Sequence, residues 1–254
     1  MLLAELHGKR FPEAEGQEDW LTSAVFGNLR HIPPTAFWSS LFERALSVGD
    51  LPTSLASQLR LDGVAFDRFT QLMTLFWKSC SDYGEPDLIL RFTGNDVHPL
   101  VVLVEVKLNS TKSGVGENDQ LARYLALLND QAALPGWECA EDHRYLIYLT
   151  RAFAKRELED SVRASGSSDA ARRMFGLEWR DVLETAASEA GEGSLLEEVA
   201  RFLKGRGFEA FRGFRKSPLP IDGAGGRFYG SEYFLSYDGP VWAHSNVTGR
   251  FYGR

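Results

Sequence analysis

Two acids and an amine stand out, because their types and spacing suit phosphodiester hydrolysis: Asp87, Glu105 and Lys107. Residues 87–92 (DLILRF) and 100–108 (LVVLVEVKL) are rich in branched apolar side chains, and Thr93-Gly94-Asn95-Asp96 between them is turn chemistry. A hairpin paired symmetrically about Asp96 sets Asp87 opposite Glu105. Side chains alternate along a strand, so Asp87, Ile89 and Arg91 share a face with Leu103, Glu105 and Lys107, while Leu88, Leu90, Val102, Val104, Val106 and Leu108 point the other way. Charges on the face of so apolar a hairpin are costly unless paired or bound to an ion. Mg²⁺ takes hard oxygen ligands and keeps waters in its remaining positions. Asp87, Glu105 and the Val106 carbonyl offer such ligands. Lys107 would then lie near the attacking water, orienting or deprotonating it and offsetting charge on the phosphorane.

These residues, in this order, resemble the signature of the PD-(D/E)XK nuclease superfamily: Pro86-Asp87 followed by Glu105-Val106-Lys107. Gly84-Glu85-Pro86-Asp87 is similar to the G-x-x-D of its RecB-type branch, and Gln120-Leu121-Ala122-Arg123-Tyr124 to the Q-x-x-x-Y helix of that branch. Gln120 and Tyr124 are four apart and share a helix face. Glu18 matches the acid that often completes the family's metal site, with Asp19 or Glu15 as alternatives for that part. The likeness covers residues 18–150. E-x-K or Q-x-x-x-Y alone recurs by chance, and only the ordered set is specific. The resemblance implies an α/β (α+β), restriction-endonuclease-like mixed central sheet flanked by helices. It implies a Mg²⁺- or Mn²⁺-dependent hydrolase with Glu18, Asp87, Glu105 and Val106 at the metal and Lys107 at the water. Gln120 and Tyr124 would contact the substrate, a nucleic acid and most often DNA. A small nuclease without a motor or sequence-reading domain also suggests the effector of a bacterial phage-defence system. The competing readings are a catalytically silent interaction scaffold and an RNA-directed nuclease.

Other chemistries find little support. The five histidines (His7, His31, His98, His143, His244) lack metal-ligand spacing. No G-x-S-x-G elbow is present, and Gly114-Val115-Gly116-Glu117 lacks the G-K-[ST] ending of a phosphate-binding loop. Cys80 and Cys139 read as free thiols in a reducing cytoplasm. Lys204, Arg206, Arg212, Arg215 and Lys216, interleaved with Phe208, Phe211 and Phe214, suit either a nucleic-acid backbone track with stacking sites or a solvated helix end.

The elements that must position the site follow from apolar spacing. Helices are expected over 18–29, 35–48, 118–130, 151–164, 178–190 and 195–204, with a third strand over 144–150; residues 66–79 fit either helix or strand. The nuclease-like domain is assigned to 1–216, ending in helices. Residues 217–254 form a Gly- and aromatic-rich β extension, which repeats GRFYG and suggests a hairpin of 233–237 with 241–245. No apolar run reaches membrane-spanning length, and Glu5 interrupts the apolar start of the chain. A net charge of −7 argues against coating nucleic acid by bulk attraction, and points to a protein partner or a homo-oligomer. That charge is uneven: residues 1–143 hold 20 acids against 11 bases, and 144–254 hold 15 against 17.

Overall fold

Branched apolar runs build the centre of the fold. The computed structural model describes residues 17–49 and 51–209, and the backbone of two short strands at 215–217 and 234–236. In chain order the elements are α1 (Gln17–Leu29), α2 (Pro34–Phe42), β1 (Leu46–Ser47), α3 (Leu55–Leu61), β2 (Gln71–Phe76), β3 (Leu88–Thr93) and β4 (Leu100–Val106). There follow α4 (Gln120–Asn129), β5 (Arg144–Thr150), α5 (Lys155–Ala164), α6 (Ala170–Arg173), β6 (Met174–Glu178), α7 (Trp179–Glu189) and α8 (Leu195–Gly205).

The six strands form one mixed sheet in the order β1-β6-β5-β4-β3-β2. The β3–β4 pair is antiparallel, with Leu88 opposite Val104 and Leu90 opposite Val102, the register expected from symmetry about Asp96. β5 runs parallel to β4, and β6 parallel to β5. Both parallel connections cross over through a helix, α4 and then α5. Every residue of β4 and β5 is buried, as central strands covered on both faces require. Leu88, Leu90, Val102, Val104 and Val106 pack in one core with α1, α2, α7 and α8. Ile89, Val101 and Leu103 join the other, with Leu121, Tyr124 and Leu125 of α4 and Leu158 of α5. The alternation of the hairpin therefore sorts its residues between two helical layers.

Several boundaries differ from those the sequence suggests. The helix expected over 35–48 ends at Phe42. Beyond it the Ser47 N–H bonds to Thr53 O, and Leu46 pairs with Gly176, so strand pairing takes over the backbone groups. The open stretch 66–79 holds a single 3-10 turn and then edge strand β2. Residues 151–154 lie outside α5. β6 and α3 are elements that the apolar spacing does not announce. Gly176 in β6 is needed for packing: a Cβ there would overlap the Phe153 ring and come within 2.8 Å of Leu158 Cδ1.

A second unit begins at Ala210. In it β7 (Arg215–Ser217) pairs antiparallel with β8 (Phe234–Ser236), Lys216 facing Leu235. The strand expected over 233–237 is thus partnered by 215–217, while 241–245 and the GRFYG repeats lie outside the described residues. Among the described residues no helix is long and apolar enough to cross a membrane.

Candidate active site

The β3–β4 ladder, extended by one residue, sets Asp87 opposite Glu105. The Val106 N–H donates to Asp87 Oδ2 at 2.8 Å and so fixes the carboxylate across the hairpin end. Lys107 follows immediately after β4, where its N–H donates to Leu149 O of β5 at 2.8 Å. Its ammonium donates to Glu105 Oε1 at 2.6 Å and to Glu18 Oε1 at 3.3 Å. Glu18 lies in the first turn of α1, where a carboxylate is favoured by the helix dipole. Its other oxygen accepts the Leu108 N–H at 2.8 Å. Residues 18, 87, 105 and 107 therefore converge from three segments that are distant in sequence. Glu18 is the acid that reaches Lys107, and Glu15 lies outside the described residues.

Gln120 opens α4 directly behind the acids. Its Nε2 donates to Glu105 Oε1 at 2.8 Å and to the Tyr124 hydroxyl oxygen at 3.1 Å, and its Oε1 accepts the Ser113 N–H at 3.0 Å. The Tyr124 ring is buried, 3.6 Å from where a Cβ on Gly84 would stand. Gly84 has φ +107°, a conformation that glycine adopts without strain. The sequence resemblance puts Gln120 and Tyr124 against substrate. In the fold Gln120 bonds Glu105 and the Tyr124 hydroxyl, and the Tyr124 ring lies against the turn that precedes Asp87.

Burial sets the electrostatics. Desolvation raises the Asp87 carboxyl to about 6, although the Val106 N–H and the Lys107 charge pull it down. Glu105, 1% exposed, is pushed up to about 8 by burial and by the neighbouring Asp87 charge, against the pull of Lys107. Burial works to lower the Lys107 ammonium, but Glu105, Asp87 and Glu18 outweigh it and hold the group well above the ordinary lysine range. In this arrangement Lys107 is held as an ammonium that donates to Glu105 and Glu18. Burial and then Glu105 also raise the Tyr124 hydroxyl, which stays neutral.

Among the described residues no three Asp, Glu, His or Cys side chains are gathered round one point as a finished cation site. The Lys107 ammonium stands between Glu18 and Glu105 instead. One oxygen nevertheless fits a cation: Glu105 Oε2 is buried, receives no N–H donor and lies against the Asp87 carboxyl, with which it can share only a proton or a cation. A buried carboxylate oxygen without a donor is costly, and the donor set around it, carboxylates and a backbone carbonyl, is the hard oxygen chemistry that Mg²⁺ or Mn²⁺ takes.

A supporting layer escapes the sequence reasoning. Lys112, after the acidic strand, forms a buried ion pair with Asp119, which also caps α4 by accepting the Ala122 N–H at 3.0 Å. The Lys112 N–H donates to Glu157 Oε2 of α5 at 3.0 Å, and the Tyr148 hydroxyl donates to the same oxygen at 2.9 Å. An aspartate directly before an apolar-periodic helix is a legible cap signal; its lysine partner is not. Both cysteines are free. No protein-family profile, curated protein or solved structure matches the chain.

Proposed function

We propose that this protein is a metal-dependent phosphodiesterase of the PD-(D/E)XK type, with a restriction-endonuclease-like core, acting on DNA. One observation carries the reading. Asp87 and Glu105 meet at the end of a buried hairpin with Lys107 and Glu18 beside them, and one Glu105 oxygen receives no N–H donor. Such an arrangement is expensive for stability alone, and functional sites are where that expense is found.

In this reading Asp87, Glu105 and the Val106 carbonyl hold the cation, and Glu18 completes its surroundings. A bound Mg²⁺ or Mn²⁺ supplies Lewis acidity, which acidifies water and offsets phosphate charge. Lys107, already protonated, donates to the scissile phosphate or the attacking water and balances charge as it develops. Gln120 keeps Glu105 in its rotamer, and Tyr124 keeps Gln120. The pairing of Lys107 with both Glu18 and Glu105 favours a second reading, a silent scaffold whose acids are neutralised internally.

One experiment separates them. Labelled DNA and RNA are incubated with the purified protein in Mg²⁺, Mn²⁺ or EDTA, next to Asp87→Asn and Lys107→Met. The expected result is EDTA-sensitive DNA cleavage that both variants lose by at least about 100-fold, the scale of removing one electrostatic transition-state contact. Cleavage unchanged in either variant refutes the site. Absence of any cation-dependent cleavage, together with no Mn²⁺ effect on melting, establishes the scaffold.

A further inference from the structure

Resting on the nuclease reading, we propose that Arg151 and Arg206 form a phosphate-backbone track leading a nucleic-acid strand to the acidic site. Arg151 directly follows β5, and Val106 pairs with Leu149 in the parallel ladder. Arg151 stands two residues beyond Leu149, which also accepts the Lys107 N–H, and the residue after Lys107, Leu108, holds Glu18 through its own N–H. Arg206 caps α8, and its guanidinium lies 4.0 Å above the ring of Trp20, two residues beyond Glu18 on α1. Both arginines thus border the segments that carry the acids.

The local chain explains why they point outward. Gly207, at φ +78°, ends α8 in a tight turn in which its N–H donates to Lys204 O and the Phe208 N–H to Leu203 O. That turn buries Phe208 against Trp179 and leaves Arg206 exposed. The exposed Arg151 then rests 5.6 Å from the centre of the Phe208 ring. A ring beneath a guanidinium restrains its plane while its N–H groups stay turned to solvent, and this is the geometry that receives a phosphate in bidentate fashion.

Charge pairing leaves both residues free, as it also leaves the exposed Arg68, Lys78 and Arg156, while bases beside them on α8 are bound. Lys204 is held by Glu209 at 2.9 Å and Arg201 by Glu197 at 3.2 Å. Arg151 and Arg206 have no carboxylate partner among the described residues. The acids of the site offer a polyanion no attraction, so a strand arriving there needs compensating cations nearby. The ring faces are taken by the guanidinia. The track therefore grips phosphates and does not stack bases, which makes recognition independent of sequence.

The test is fluorescence anisotropy of a short labelled DNA strand and of its duplex, titrated in Ca²⁺ over a range of salt. Arg151→Gln and Arg206→Gln are each expected to weaken binding roughly tenfold. Each should also flatten the dependence of log affinity on log salt by about 0.7 for the strand and 0.9 for the duplex. Arg→Lys at each position restores the slope, because the charge returns, but only part of the affinity. The rise of melting temperature with Mn²⁺ serves as control for the fold and the acidic site. Wild-type affinity and slope in both Gln variants overturn the track even where cleavage persists. Loss of slope in a protein that never cleaves upholds the track and overturns the nuclease.

Discussion

Replacing Glu105 with Gln is expected to stabilise the metal-free protein at alkaline pH, although it removes a buried residue with two hydrogen-bonding partners. The buried carboxyl titrates near 8, raised from 4.5 chiefly by desolvation. A carboxyl whose pKa is higher folded than unfolded gives stability that is complete below its unfolded value and is lost as pH rises through the folded one. Between those two values each pH unit costs about 1.4 kcal/mol, so the interval from pH 5.5 to 8.5 removes about 3 kcal/mol from the wild type. For a domain of this size that is about 6–12 °C in Tm. Gln cannot ionise, yet its carbonyl still accepts from Lys107 and Gln120. Asp87, raised to about 6, contributes a smaller loss at lower pH that both proteins share. Lys107, held above its ordinary range, stays charged throughout the interval. Thermal melts in EDTA at pH 5.5, 7 and 8.5 measure the effect. The gap in Tm between Glu105→Gln and wild type should open with pH in favour of the variant, and Mn²⁺ should close it by stabilising the wild type alone. A gap that does not change with pH, or a variant that melts lower at pH 8.5, refutes the burial argument.

Gln120→Ala should lower kcat at least tenfold with little change in KM, because it frees Glu105; a purely KM effect in steady-state kinetics would contradict its positioning role and point to a substrate contact. Tyr124→Phe deletes only the hydroxyl that receives Gln120 Nε2 and should cost about 1 kcal/mol in urea unfolding, with activity within a few-fold of wild type. Lys112→Ala leaves Asp119 charged at 1% exposure and should cost about 3 kcal/mol by the same measurement, and an effect under 1 kcal/mol would show that the pair is solvated. Gly176→Ala forces a methyl group into Phe153 and Leu158, so a loss of roughly 1–3 kcal/mol is expected, and an unchanged urea midpoint would mean that β6 gives way.

The hairpin was legible because two independent rules met on it. Turn residues gave a centre, alternation gave faces, and together they set Asp87 across from Glu105 without knowledge of any other element. The same reasoning was weaker where the partner in space decided the outcome. Residues 43–48 carry helical apolar spacing, yet pairing of Leu46 with Gly176 ends the helix early. Residues 174–178 are too short and too evenly apolar to show a period, and burial between β5 and β1 makes them a strand. Gln120 and Tyr124 share a helix face as expected, but their spacing carries no sign of depth. Only the packed fold shows Tyr124 beneath Gly84 and Gln120 turned toward Glu105.

Lys107 shows how far local chemistry can go and where it needs the assembled site. The sequence places an amine beside two acids, which is compatible with either a proton acceptor or a fixed positive charge. Burial alone would make it an acceptor, because desolvation favours the neutral amine. Three carboxylates within its reach reverse that preference and keep it charged. The ammonium then plays the part of a cation while the acids wait for one, and a divalent ion entering the site competes with Lys107 for Glu105 and Glu18. Each positive charge brought in must displace a proton or the ammonium. Mn²⁺ affinity should therefore rise in Lys107→Met even as cleavage falls, a divergence that calorimetry and kinetics on the same variant would reveal. Parallel loss of both would mean that Lys107 holds the acids open, not that it holds the place of the ion.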